Sequence, residues 1–166
     1  MRPGFSLLEL LVVMLIIALG YAFVGPRIGG SMSNLSLKTA SKKISASLRY
    51  ARNQASSENT TVKVLFDFDN NRMAVSGQGS DDKMRDERSE ETDEDRSGSK
   101  IYSLPDGVSL EKAISVDRET ESGIFEIVFF PTGGSSGGEV VLKNDKGNRY
   151  RISVDFITGT VQLGEK

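Results

Sequence analysis

The sequence predicts an α+β chain: one long N-terminal helix packed on antiparallel β-sheets of about seven short strands. Three observations predict it. Between Phe5 and Gly25, 17 of 21 residues are apolar and Glu9 is the only charge. Leu37, Ala40, Ile44, Leu48, Ala51 and Ala55 then recur at a 3-4-4-3-4 spacing, one apolar stripe on a helix. From residue 60 onward, short alternating segments punctuated by turn residues take over, as strands require. The chain has 166 residues, enough for one domain with an appendage.

The first element runs from Phe5 to the Gly25-Pro26 pair. The stretch 5–28 is long enough to span a bilayer as a helix, with one carboxylate inside it. A carboxylate at the centre of a membrane costs about 2.5–3.5 kcal/mol on insertion scales, so such a residue has a task. A secretory signal peptide cleaved after Ala18-Leu19-Gly20 or a plain signal anchor leaves Glu9 unexplained. A four-residue leader ending at Gly4 explains it. Phe5 becomes the new N-terminus, Glu9 lies about one helical turn further on, and amine and carboxylate are complementary between neighbouring copies.

Gly25-Pro26, followed by Gly29-Gly30, predicts a kink or local melting, because proline removes a helix hydrogen bond and crowds the preceding turn. The amphipathic segment 29–59 continues the helix to about Glu58, for a rod of roughly 80 Å. Lys38, Lys42, Lys43, Arg49 and Arg52 lie off its apolar stripe and read as a mostly solvated face, some of it within reach of anionic lipid head groups.

The region 60–166 reads as a β-rich globular domain. Val62, Val64, Phe66 and Phe68 alternate with polar residues, and Asp69-Asn70-Asn71 turns the chain into a return strand at 72–76. Strands follow at 101–104, 108–116, 124–130, 139–143, 150–155 and 160–163. The strongly apolar run 124–130 predicts a central strand. Between the second and third strands, 77–100 holds nine acids and five bases among 24 residues, a mobile loop with too little apolar surface to order itself. Its acids do not follow a calcium-loop spacing.

Composition excludes much chemistry. With no Cys and no His, the chain lacks disulfides, thiolate metal sites and the commonest general base. No nucleophile–base pair, metal cluster or cofactor fingerprint is visible, so neither enzyme activity nor a cofactor or metal is expected. The segment Phe130-Pro131-Thr132-Gly133-Gly134-Ser135-Ser136-Gly137-Gly138 is followed by a strand and no GK[ST], so it reads as a wide glycine-rich turn between two central strands, not a phosphate loop. Outside 77–100 there are 14 acids and 16 bases, so the net charge of -2 is an average over unlike regions.

The string Gly4-Phe5-Ser6-Leu7-Leu8-Glu9-Leu10-Leu11-Val12-Val13 resembles the class III signal of type IV pilins and type II secretion pseudopilins. Phe130-Pro131, Gly133, the Ser-Ser-Gly-Gly string, Gly147, Val154-Asp155, Thr158-Gly159 and Val161 resemble the C-terminal hallmark of the H-type minor pseudopilin and FimT branch (GspH/FimT). The resemblance implies a pilin-like fold and a structural role in the tip or initiation complex of a secretion pseudopilus. It implies cleavage by a prepilin peptidase after Gly4, methylation of the Phe5 amine, and Glu9 as the assembly residue. It places the subunit in the bacterial inner membrane with its globular domain in the periplasm. Its partners are then other pseudopilins or pilins, membrane lipid and, through displayed loops, secreted substrate. The alternative is a FimT-like minor pilin that takes up DNA, for which Lys143, Lys146, Arg149 and Arg151 would be the basic cluster. The acidic loop opposes nucleic acid.

Overall fold

Small and apolar residues on one side of a helix invite a sheet to close against it, and here two sheets do. The computed structural model describes residues 7–77, 99–116 and 118–165, with the side chains of 22–31 and 99 outside that set. Helix α1 (Leu7–Ser57) has 51 residues, about 76 Å of rod. Its backbone is helical through Gly25 and Pro26. The expected loop 77–100 lies almost wholly outside the described residues, as do Gly4 and Phe5.

The predicted stripe is the buried face. Leu37, Ala40, Ile44, Leu48, Ala51 and Ala55 are each 0% exposed. Ser41 and Ser45 are buried beside them, and Ser41 Oγ donates to the Leu37 carbonyl at 2.8 Å. The stripe's alanines and serines let the strands approach closely, while Leu37, Ile44 and Leu48 fill the core.

Among the described residues there are nine strands in two antiparallel sheets. The first sheet has the order β3 (Ser99–Ser103), β2 (Arg72–Ser76), β1 (Val62–Asp67), β6 (Ile124–Phe129). The second has the order β5 (Glu119–Thr120), β4 (Val108–Ile114), β7 (Gly138–Asn144), β8 (Arg149–Val154), β9 (Val161–Glu165). Helix α1 touches β1, β2 and β6 of the first sheet and β4, β7, β8 and β9 of the second. One core therefore joins all three layers, with Val62, Val64, Phe66, Ile127 and Phe129 from one sheet and Val140, Leu142 and Ile152 from the other.

The β1–β2 turn forms where the side chains predict it. Asp67 accepts from the Asn70 amide (3.0 Å), the Asn70 side chain (2.7 Å) and Arg72 Nε (3.0 Å). Asn71 takes the left-handed conformation, φ 52°, which asparagine tolerates better than most residues. Its side chain then bridges to the second sheet, donating to the Val108 carbonyl (2.7 Å) and accepting from the Leu110 amide (2.9 Å).

Two expectations about strands are corrected. The run at 124–130 is not central: β6 is an edge of its sheet. Phe125, Ile127 and Phe129 face the core, whereas Ile124 and Glu126 are exposed. Its open side is capped by the glycine-rich segment, since the Ser136 amide donates to the Val128 carbonyl (2.8 Å) and the Val128 amide to Ser136 Oγ (3.0 Å). A covered edge needs no charged residues to discourage pairing, so its sequence resembles that of an interior strand. The second correction is β5, two residues paired to Ala113 and Ile114, too short for any periodicity to announce.

The two faces of α1 differ in what truncation removes. Leu48→Ala should cost about 2–5 kcal/mol by opening a cavity. Leu35→Ala, at a position 63% exposed, should change stability far less. Urea unfolding of the detergent-solubilised chain checks the difference.

Candidate assembly surfaces

The first surface is the N-terminal part of α1. Glu9 occupies its first turn. Leu7, Leu8, Leu10, Leu11, Met14, Leu15, Ile16, Ile17 and Leu19 are each more than half exposed. Among the described residues nothing buries these side chains. The apolar character of this surface demands cover from lipid or protein. Among the described residues no helical stretch is long and apolar enough to cross a membrane. The expected span 5–28 includes Phe5, Ser6 and the side chains of 22–28, which lie outside the described set, as does the Pro26 ring.

The second surface lies where the glycine-rich segment meets the β8–β9 turn, beside the C-terminal part of α1. Ser135 ties the two loops together: its amide donates to the Phe156 carbonyl (3.0 Å) and its hydroxyl to the Asp155 carbonyl (2.9 Å). The same hydroxyl accepts from the Gly137 amide at 2.9 Å. Asp155 closes its own turn, accepting from the Ile157 amide (3.1 Å), the Thr158 amide (2.7 Å) and Thr158 Oγ1 (2.8 Å). The bonds from Thr158 hold the Asp155 carboxyl below its usual range.

Gly159 sits at the closest approach, with φ 62°, and a Cβ there would meet the Gly133 carbonyl oxygen at 2.5 Å. Arg52 Nε donates to that same carbonyl at 3.4 Å, and Arg49 Nη2 donates to the Val161 carbonyl at 3.2 Å. The helix thus holds both loops. Sequence reasoning assigned Arg49, Arg52 and Lys43 to a mostly solvated face. Lys43 and Arg49 are exposed and Arg52 half-buried, as on such a face; in addition, Lys43 Nζ lies 4.0 Å from the centre of the Tyr102 ring, and all three reach back to the strand domain. Long side chains can leave a helix face and return to its neighbours, which periodicity does not encode.

The third surface, the outward side of the second sheet, holds the basic cluster considered for DNA. Arg149 donates twice to Glu111, at 2.6 and 2.8 Å, and Arg151 pairs with Glu139 at 3.4 Å. A bulge between Leu110 and Lys112 accommodates Glu111 and allows it to meet Arg149. The Arg149 hydrogen bonds hold the Glu111 carboxyl below its usual range. Two of the four bases are therefore already matched to carboxylates. The depression beside them, about 240 Å³ and lined by Glu111, Lys112, Glu121, Val141 and Arg149, presents both signs of charge. No group of three or more potential metal ligands occurs among the described residues.

Two family profiles match the chain, one over its apolar N-terminal end and one over most of the packed helix and strand domain. The profile of "Type II transport protein GspH" matches residues 40–158, and that of the "Prokaryotic N-terminal methylation motif" matches residues 2–23. The chain belongs to the GspH family. It is 31% identical over 163 residues to "Type II secretion system protein H" of Xanthomonas campestris pv. campestris, covering 97% of this chain and 82% of that relative. The fold resembles the minor pseudopilin EpsH of Vibrio cholerae (TM-score 0.56, 13% identity, 78% of this chain and 97% of that one). It also resembles the type IV minor pilin FimU of Pseudomonas aeruginosa (TM-score 0.52, 12% identity, 79% and 90%). As a GspH family member the chain is a minor pseudopilin of type II secretion, a structural subunit that assembles with other pseudopilins and not an enzyme. Membership and the methylation motif together imply a membrane-anchored subunit of a periplasmic pseudopilus.

Two consequences are measurable. Gly159→Ala should destabilise more than Gly147→Ala, because both glycines have positive φ but a Cβ at Gly147 has nothing within 4 Å. Thermal unfolding midpoints of the two variants test the order. Second, Asp67 has a depressed pKa: burial opposes the shift, and bonds from Asn70 and Arg72 outweigh it. The stability it contributes is present above the ordinary carboxylate value of 3.8 and is lost as pH falls through the lower folded value. Asp67→Asn should therefore shrink the loss of stability on acidification below about pH 4, read from unfolding midpoints across pH.

Proposed function

We propose that residues 1–4 are a leader removed by a prepilin peptidase after Gly4, and that the new terminus, Phe5, is methylated. The segment 5–28 then anchors the chain once across the inner membrane, with the strand domain in the periplasm. During assembly it leaves lipid for a bundle of like helices, in the tip or initiation complex of the pseudopilus. The observation that carries this reading is the division of α1. One part buries its apolar stripe under its own sheets, while Leu7 to Leu19 exposes nine large apolar side chains by more than half and a single carboxylate, Glu9.

The chemistry is pairing and packing. A Phe5 amine of one subunit meets the Glu9 carboxylate of another where water is scarce, so a misregistered helix leaves a charge unpaired, at a cost of several kcal/mol. Pro26 beside Gly25 gives the helix a point where one hydrogen bond is already missing, which lets it bend or extend without losing the packed segment beyond. The reading supports contacts with other pseudopilins through the helix, with the peptidase at Gly4, with membrane lipid before assembly, and with secreted substrate through exposed loops.

Mass spectrometry of the chain from membranes should show a terminus at methylated Phe5. A terminus at Tyr21 would mean an ordinary signal peptide and would sink the reading. Glu9→Leu should leave processing intact and reduce incorporation into pseudopili at least fivefold, measured by shearing and immunoblotting. A gel shift with DNA at low salt should show no complex.

A further inference from the structure

The two loops locked together beside the end of α1 present an apolar surface outward. Phe156 is 65% exposed, Ile157 79% and Phe130 40%. Exposed apolar residues on floppy loops mean little, but these loops are held. Ser135 makes three hydrogen bonds between and within them, and Arg52 fastens Gly133 to the helix. A Cβ at Gly134 would meet the Ile157 carbonyl at 3.1 Å, and one at Gly137 would meet Phe156 Cβ at 3.2 Å. The backbone behind Phe156 and Ile157 is thus packed as closely as a core, while their side chains face solvent. A preorganised apolar surface loses little freedom on binding.

We infer that Phe130, Phe156 and Ile157 form a docking face for the strand domain of a neighbouring pilin-like subunit of different sequence, one whose helix is anchored in the same bundle. The inference rests on the assembly reading above. Area and charge select the occupant. Three side chains of this size leave on the order of 300 Å² open. A stable interface takes about 800 Å² per partner. Such a patch does not hold a soluble partner from dilute solution. It suffices for one already tethered nearby, where the effective concentration reaches about the millimolar range. The chain's other uncovered apolar surface, Leu7 to Leu19, supplies that tether.

The charged groups beside the patch are engaged with their own neighbours. The Asp155 carboxylate accepts bonds from its own turn, and the Arg52 guanidinium lies on the Gly133 carbonyl. It therefore suits an apolar protein face and offers nothing to phosphate groups. Successive subunits of an open helical filament are related by a rotation and a rise, so their contacts are heterologous and not symmetric. Among the described residues, head-to-tail pairing of copies finds no complementary cluster, because the other exposed large apolar residues of the strand domain, Ile101, Val116 and Ile124, are scattered over β3, the β4–β5 turn and β6. From Tyr21 to Arg52 the helix rises about 46 Å, so a contact at each end sets both the height and the tilt of the neighbour.

The absence of cysteine makes the test clean, since any introduced thiol is unique. Full-length Ile157→Cys, Met14→Cys and Lys143→Cys chains would carry a photoactivatable thiol-reactive cross-linker in cells producing the whole secretion apparatus. Positions 157 and 14 should give adducts with a pilin-like subunit, identified by peptide mass spectrometry and its own methylated phenylalanine terminus. Position 143, on the charged face, should give at least fivefold less. Adding Glu9→Leu should reduce the 157 adduct at least fivefold, because the tether is lost. Adducts at 14 with none at 157 would overturn this inference and leave the assembly reading standing. So would a 157 adduct with secreted substrate or with another copy of this chain, or one that Glu9→Leu does not change. Silence at both 14 and 157 would remove the helix-bundle reading and this inference together.

Discussion

The closure of two sheets over a single face of one helix is the contact on which everything else depends. From Leu37 to Ala55 the stripe is sealed at 0% exposure. That seal fixes where the strand domain sits along the rod, while the described side chains from Leu7 to Leu19 stay exposed. A helix fully wrapped by its own domain could not bundle with neighbours, and one not wrapped at all would not carry a folded domain. The division between covered and uncovered turns is therefore the functional feature, and it is set by ordinary burial of apolar surface.

The seal also explains why charged residues do structural work far from any catalytic chemistry. Arg49 and Arg52 leave the helix to satisfy carbonyls of β9 and the glycine-rich segment. At the other end of the packed segment, Asn34 Oδ1 accepts from the Asn144 and Asn148 side chains, at 2.9 and 2.6 Å, and binds the β7–β8 turn to the rod. Polar contacts at both ends and an apolar stripe between them resist sliding of the domain along the helix. That resistance keeps the strand domain at one height on the rod.

Much of this was legible in the residues. The 3-4-4-3-4 stripe named six core residues, and all six are buried. Alternation, turn residues and apolar runs located eight of the nine strands, most plainly β1, whose residues alternate between buried and half-buried. Gly147 and Gly159, both part of the C-terminal resemblance, adopt positive φ, at 81° and 62°. Legibility ended where side chains act across long separations. Nothing local to Arg52 announces Gly133, and nothing local to Glu111 announces Arg149. Phe156 and Ile157 were passed over because two apolar residues in a turn are unremarkable until their backbone proves locked and their side chains exposed.

Periodicity, turn chemistry and the lone acid in an apolar run are local properties of the chain, so helix, strands and anchor follow from the order of the residues. Which strand becomes an edge, which cation finds a carbonyl and which loops brace each other depend on distances between segments far apart in the chain. The run at 124–130 shows the difference most clearly. Its composition states that both sides are covered, but only the tertiary structure decides that Ser136 and the glycine-rich segment, not a second strand, cover one of them. Burial and hydrogen-bond satisfaction can be met by any segment that arrives in place, and arrival is a property of the whole fold.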